Sequence, residues 1–303
     1  MKNINDINLF SDDQQFQSQK QKSIDNLIKD RNILAVLSKY NLTREDIEDN
    51  WIDFLDYQED LNTCNGCTSI NNCPKVSKGM QRVFNYQNNV ITLSLSPCKY
   101  GDEILENQKI LSNILLKNVS DKILLTKAND VISIASNEGS NAGSIIKKIS
   151  EYVKDSSHKG YYLYGKGGTG KSTLMGLLIR NLAKQGYKCG FIHFPTFLMD
   201  LKNSFGEDGN DGSIELMKNL DFLVIDDVGG ESVTNWSRDE VLSSIIAYRL
   251  QNNKATFFTS EYPVDKLKGI YTLRTGDKLR VERLIDRMKA VSISLELVGK
   301  DLR

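Results

Sequence analysis

Apolar residues recur at helical spacing near the N-terminus. Ile24, Leu27, Ile28, Leu34 and Leu37 fall on one stripe, which predicts an amphipathic helix over about 22–39 after a polar, frayed start. The run NLTREDIEDNWIDFLDYQ restarts the pattern: Thr43 and Asp46 stand at capping-box spacing, and Ile47, Trp51, Phe54 and Leu55 form a second stripe. VFNYQNNVITLSLSPC then reads as two short strands joined by an Asn-rich turn, ending on Cys98. Residues 105–118 are polar and helical in pattern and read as a linker. Beyond them, five apolar runs alternate with helical stretches: YYLYG (161–165), KCGFIHF (188–194), DFLVID (221–226), ATFFTS (255–260) and VSISLEL (291–297). That alternation predicts an α/β domain with a mostly parallel sheet covered on both faces. The expected division is therefore a first domain at 1–104, a linker at 105–118 and a second domain at 119–303. The first has few core aliphatics and is marginal on hydrophobic burial alone. No internal repeat is present.

Composition narrows this little. The chain has 303 residues, 40% hydrophobic and 26% charged, with 39 Lys plus Arg against 39 Asp plus Glu. No global basic field advertises nucleic acid, so any such contact must come from a local patch. No apolar run approaches a membrane span, and MKNINDINLF lacks a signal-peptide core; the expectation is a cytoplasmic protein with no membrane partner.

In a reducing compartment clustered cysteines are more often metal ligands than disulfides. TCNGCTSINNCP holds Cys64, Cys67 and Cys73, and Cys98 closes the set after the hairpin. A C-x-x-C turn offers two thiolates, Asn65-Gly66 is suitable turn chemistry, and four thiolates suit tetrahedral Zn²⁺. A redox pair would be expected beside a thioredoxin-like βαβ pattern, which this segment lacks; unliganded thiols are the other alternative. Bound zinc would add on the order of 10 kcal/mol towards folding. Cys189 lies on an apolar run and is expected in the core.

GKGGTGKST (165–173) follows a strand, opens a helix and matches G-x-x-x-x-G-K-[ST] in full. Gly165, Gly167, Gly168, Thr169 and Gly170 would turn backbone N–H groups inward around phosphates at a helix N-terminus. Lys171 would neutralise the β- and γ-phosphates, Ser172 would hold Mg²⁺, and Thr173 completes the motif. FLVIDDVGGE (222–231) ends a buried strand in two carboxylates: Asp226 to support Mg²⁺, and Asp227 to orient or deprotonate the attacking water. The bland alternatives are a chance Gly-rich turn and strand-end caps. FFTSE (257–261) stands where a third polar element is expected.

The order of these elements resembles the AAA+ class. More narrowly, residues 119–303 resemble the DnaC/DnaI branch of bacterial helicase loaders, on YLYGKGGTGKST, LVIDDVGGE, TFFTS, RLIDRM and the terminal DLR. The resemblance implies an AAA+ P-loop three-layer α/β/α domain, preceded by a small, mainly helical zinc-binding domain that grips the helicase. It further implies ATP/ADP, Mg²⁺ and Zn²⁺ as ligands. The implied partners are the hexameric replicative DNA helicase, single-stranded DNA and further copies of the chain, which self-associate through the AAA+ domain. Carried over by position, Arg287 resembles the arginine finger that reaches a neighbour's nucleotide, with Arg283 its companion. Arg303 stands where the family has a second sensor. Solvated arginines paired with Glu282 and Asp286 are the alternative. Lys202, Phe205, Thr234 and Trp236 fall at or near single-strand contact positions, where exposed rings stack on bases; local packing is the alternative for both rings.

Two departures stand out. Glu261 replaces the usual sensor Asn, and ionised Glu only accepts hydrogen bonds, so Thr259 or Ser260 would have to serve, or hydrolysis would be slow. The histidine that family members carry between the third and last cysteines is missing, which leaves Cys73 as the simplest fourth ligand. The function implied is ATP-dependent loading of the replicative helicase. The alternatives are a transposition-helper AAA+ ATPase and a nucleotide-gated adaptor with little turnover.

Overall fold

The computed structural model describes residues 9–136, 139–156, 159–204 and 212–302, and the chain divides into two compact units, Met1–Leu105 and Glu106–Arg303. The first unit opens with helices α1 (Leu9–Leu27), α2 (Arg31–Tyr40), α3 (Arg44–Asp49) and α4 (Trp51–Cys64). The single helix expected over 22–39 is two, and the helix begins at Leu9 rather than after a frayed start. Asp30 causes the break: its carboxylate accepts the N–H groups of Asn32 and Ile33 at 2.8 and 3.3 Å and starts α2 afresh. The new phase buries Ile33 and Val36 and leaves Leu34 47% exposed, off the expected stripe. Thr43 does start α3, its N–H donating to Asp46 Oδ2 at 2.7 Å.

The hairpin is β1 (Met80–Gln87) and β2 (Val90–Pro97), antiparallel. Asn88 and Asn89 form its two-residue turn at φ 51° and 60°, the left-handed geometry that matches strand twist. Phe84 and Ile91 from the hairpin join Ile24, Leu27, Ile47 and Phe54 in the first unit's core.

Helix α5 (Gly101–Asn113) runs across the division, and β3 (Ile114–Lys117) follows it directly. The stretch at 105–118, expected as a helical linker, holds the rest of α5 and the strand β3, with Ile110 and Ile114 buried in the second unit. Its polar pattern reflects a helix buried on one side and a strand at the sheet edge.

The second unit continues with α6 (Asp121–Leu124), α7 (Ile132–Ala135), α8 (Ala142–Lys154), β4 (Gly160–Tyr164), α9 (Lys171–Lys184) and β5 (Cys189–His193). After α10 (Phe194–Ser204) and α11 (Ser213–Asn219) comes β6 (Phe222–Asp226). A π-helical segment, Trp236–Leu242, then winds into α12 (Ser243–Gln251), followed by β7 (Ala255–Ser260), α13 (Leu267–Tyr271), α14 (Lys278–Val291) and β8 (Ser292–Glu296). The six strands are parallel in the order β3-β5-β6-β7-β4-β8. Every residue of β6 is buried, and alternate side chains serve opposite layers. Leu223 and Ile225 join a cluster with residues of α10, α12 and α14; Phe222 and Val224 join one with residues of α8 and α9. Helices thus cover both faces, and the carboxyl ends of β4, β5, β6 and β7 come together at one edge. No described helix is long and apolar enough to cross a membrane.

Candidate nucleotide site and cysteine cluster

The 165–173 loop joins β4 to α9. Gly165, Gly168 and Gly170 adopt φ of 152°, 76° and 95°, which lets the chain wrap inward ahead of the helix N-terminus. Lys171 opens α9 and is buried; its Nζ donates to the carbonyls of Gly165 (2.8 Å) and Lys166 (2.9 Å). The ammonium is thus held within its own loop, where phosphate oxygens would compete for it.

Ser172 Oγ donates to Asp226 Oδ1 at 2.8 Å, and Thr259 Oγ1, at the end of β7, donates to the same oxygen at 2.6 Å. Burial pushes the Asp226 carboxyl above its ordinary pKa, and these two hydrogen bonds oppose the shift. A hydroxyl and a carboxylate oxygen beside the phosphate loop are the hard donors Mg²⁺ takes, so Ser172 and Asp226 fit that ion.

Asp227 follows at φ 63°, its N–H donating to Thr259 Oγ1 at 2.9 Å. Thr259 therefore ties both acidic residues to β7. Ser260 Oγ instead donates to the Val228 carbonyl at 2.6 Å, and Glu261 is exposed beyond the strand end.

His193 was not singled out from the sequence. It ends β5 in register with Asp226, and its Nε2 lies 3.6 Å from Asp227 Oδ2. Its Nδ1 pairs with Thr196 Oγ1 at 2.7 Å, while Asn118 clamps its backbone at both N–H (2.6 Å) and carbonyl (3.1 Å). The nearby Asp227 carboxylate raises the imidazole pKa, partly offset by burial. The available signal was a polar residue ending an apolar run, at the same strand position as the acid.

The other expected residues are distributed more widely. Arg287 and Arg283 lie on α14; Arg287 is half-buried and donates to Ser243 Oγ at 2.9 Å, and Arg283 is exposed one turn earlier. Arg303 lies outside the described residues; the Leu302 N–H donates to the Gly168 carbonyl at 3.0 Å. Lys202 Nζ stands 5.8 Å from the Trp236 ring centroid, so these two form one patch, although Trp236 also packs on the core. Thr234 lies just before the π-helical segment, its Oγ1 accepting the Ser237 N–H at 3.1 Å. Phe205 lies outside the described residues.

In the first unit Cys64, Cys67, Cys73 and Cys98 all line one cavity of about 470 Å³. Backbone N–H groups of Gly79 and Lys75 hydrogen-bond the Cys73 sulfur and hold its thiol below the ordinary range. Such N–H···S contacts are outer-shell features of thiolate ligands, so the donor chemistry fits a soft metal. Among the described residues, however, no three His, Cys, Asp or Glu side chains stand close enough together to form a ready metal cage. Cys189 is buried on β5, and burial pushes its thiol up to about 12.

The parallel sheet order and the meeting of phosphate loop, acidic strand and β7 hydroxyl define a P-loop protein of the AAA+ class. Within that class the chain is similar to the replicative helicase loader DnaI of Bacillus subtilis (strain 168): it is 25% identical over 297 residues, covering 95% of this chain and 94% of that protein. Among solved structures, a Streptococcus pyogenes serotype M3 protein described as a primosome component is 28% identical, with TM-score 0.52, covering 64% of this chain and 98% of that one. A DnaI crystal structure is 25% identical, with TM-score 0.55, covering 64% of this chain and all of that one. No protein-family model matches the chain.

Proposed function

We propose that this protein is an ATP-dependent loader that delivers the hexameric replicative helicase to single-stranded DNA within a primosome. The observation that carries the reading is similarity to a helicase loader along 95% of the chain, both units included. Lys171 and the loop N–H groups bind the phosphates, Ser172 and Asp226 hold Mg²⁺, and Asp227 orients the attacking water. Bound Mg²⁺ supplies charge neutralisation at the β- and γ-phosphates. Arg287, with Arg283, completes a neighbouring copy's site once it leaves Ser243, and Arg303 acts on its own nucleotide. Lys202, Phe205, Thr234 and Trp236 contact single-stranded DNA. Cys64, Cys67, Cys73 and Cys98 hold a structural zinc that shapes the helicase-binding unit.

The test is co-elution of the full chain with its cognate replicative helicase on size exclusion. A complex at micromolar concentration is expected; separate peaks with and without ATP would overturn the loader reading. Exposed Glu261, lying past β7, favours one alternative, an adaptor in which ATP is an assembly switch with little turnover. Turnover that disappears in Asp227→Asn excludes it.

A further inference from the structure

Asp227 precedes a tight turn in which its carbonyl accepts the Gly230 N–H at 3.1 Å and Gly229 takes φ 88°. A Cβ on Gly230 would lie 2.3 Å from Asp227 Oδ2, so the carboxylate lies directly against the turn backbone. Where the turn goes, the Asp227 carboxylate follows.

Glu231 fixes the turn. It is only 8% exposed and folds back, Oε2 accepting the Gly229 N–H and Oε1 accepting the Tyr271 hydroxyl, each at 2.7 Å. Tyr271 is the fully buried last residue of α13, and α13 packs on the same turn: a Cβ on Gly229 would meet Leu267 Cδ2 at 2.6 Å. The Tyr271 carbonyl accepts Arg238 Nη1 at 2.9 Å, and Arg238, itself fully buried, also pairs with Asp239 (2.7 Å) and Asp277 (3.0 Å). The turn is therefore tied through one phenol to α13 and through one guanidinium to the π-helical segment and the start of α14. A buried carboxylate is costly where packing alone is needed, and an apolar residue would fill the space without that cost.

We infer that Glu231 and Tyr271 are positioning residues for Asp227: the pair holds the 227–230 turn on the path that aims the carboxylate, and through it α13 sets whether the site can hydrolyse ATP. The inference rests on the role given to Asp227 above. Nucleotide binding by the 165–173 loop does not pass through this pair, so turnover and affinity separate.

The experiment uses the full chain with Tyr271→Phe, Glu231→Ala and Glu231→Gln. It measures backbone hydrogen exchange over 227–231, affinity for a fluorescent ATP analogue, and single-turnover hydrolysis. Tyr271→Phe and Glu231→Ala should speed exchange in the turn, lower turnover about ten- to a hundredfold, and change affinity by less than about twofold. Glu231→Gln keeps an acceptor for the Gly229 N–H and should recover most of the rate. Unchanged exchange and turnover in the folded variants would overturn the inference, as would affinity falling in step with turnover. If Glu231→Ala does not fold, Tyr271→Phe, which removes one hydroxyl, decides by the same measurements. If the parent binds ATP without turning it over, hydrolysis by Asp227 fails separately, and exchange decides: faster exchange supports the positioning role and unchanged exchange ends it.

Discussion

Lys171 donates to two carbonyls of its own loop, so a phosphate chain can replace those contacts without exposing the ammonium to an apolar surround. A charge-assisted hydrogen bond contributes about 1.5–3 kcal/mol, so Lys171→Ala should weaken ATP binding about ten- to a hundredfold or more in a fluorescence titration. Retained affinity would remove the loop from the argument. His193 allows a sign-specific test. Its pKa is raised in the folded protein by Asp227, so their attraction is fully present below the ordinary value of 6.5 and is lost as pH rises through the raised value. The imidazole resonance should titrate above 6.5 and fall back towards it in Asp227→Asn. A midpoint that does not respond to Asp227→Asn would mean that the 3.6 Å approach carries no interaction. These two residues also differ in legibility. Lys171 was readable because its motif is contiguous, whereas His193 matters only through pairing of β5 with β6, which places it beside an acid over thirty residues away.

The elements were legible where local chemistry and tertiary packing agree. The strands β4 to β7 were visible as apolar runs because each is flanked by others and largely buried. Strand β8 at the edge was visible from its alternating apolar residues, and the hairpin was visible because its turn demands Asn or Gly. Strand β3 was missed since its four residues follow α5 directly and read as a continuation of that helical stretch. The break between α1 and α2 was missed because an Asp cap interrupts an otherwise continuous periodicity. Asp30→Ala should cost about 1–2 kcal/mol in urea unfolding of the first unit, since it removes the cap and the Gln58 hydrogen bond at 2.8 Å. The sequence reading was also silent on Arg249. This fully buried side chain on α12 donates to the carbonyls of Met217, Leu220 and Ala255 and to Thr256 Oγ1, sewing the end of α11 to the start of β7. Burial lowers its pKa to about 10, yet these acceptors depend on it, as do the Lys218 and Asp221 carbonyls. Arg249→Met leaves those acceptors unpaired and should destabilise the second unit by about 3–5 kcal/mol. Thermal unfolding that matches the parent within 1 °C would contradict this account.

Taken as a whole, the molecule joins a unit with a large two-layer core to one whose buried apolar cluster is nine residues around Phe54 and Phe84. The smaller core is where a bound metal would add most, and the four cysteines line a single cavity inside that unit. The sequence carries two tryptophans, one per unit, and this makes the units separately observable. Trp51 packs in the first unit with the Phe16 ring 6.0 Å away, and Trp236 lies in the second. In a Trp236→Phe background, fluorescence reports the first unit alone. Bound zinc linked to folding should appear there as about one equivalent of metal in the purified protein. A strong chelator should then lower the Trp51 unfolding midpoint steeply while ATP affinity stays within about twofold, because ligand-linked stability is confined to the unit that binds the ligand. Cys73→Ser should reproduce the chelator effect if its sulfur, already hydrogen-bonded by two backbone N–H groups, is the fourth ligand. Protein free of metal whose Trp51 transition ignores the chelator would show that the cysteines are unliganded, and the first unit would then have to draw its stability from the Phe54 cluster alone.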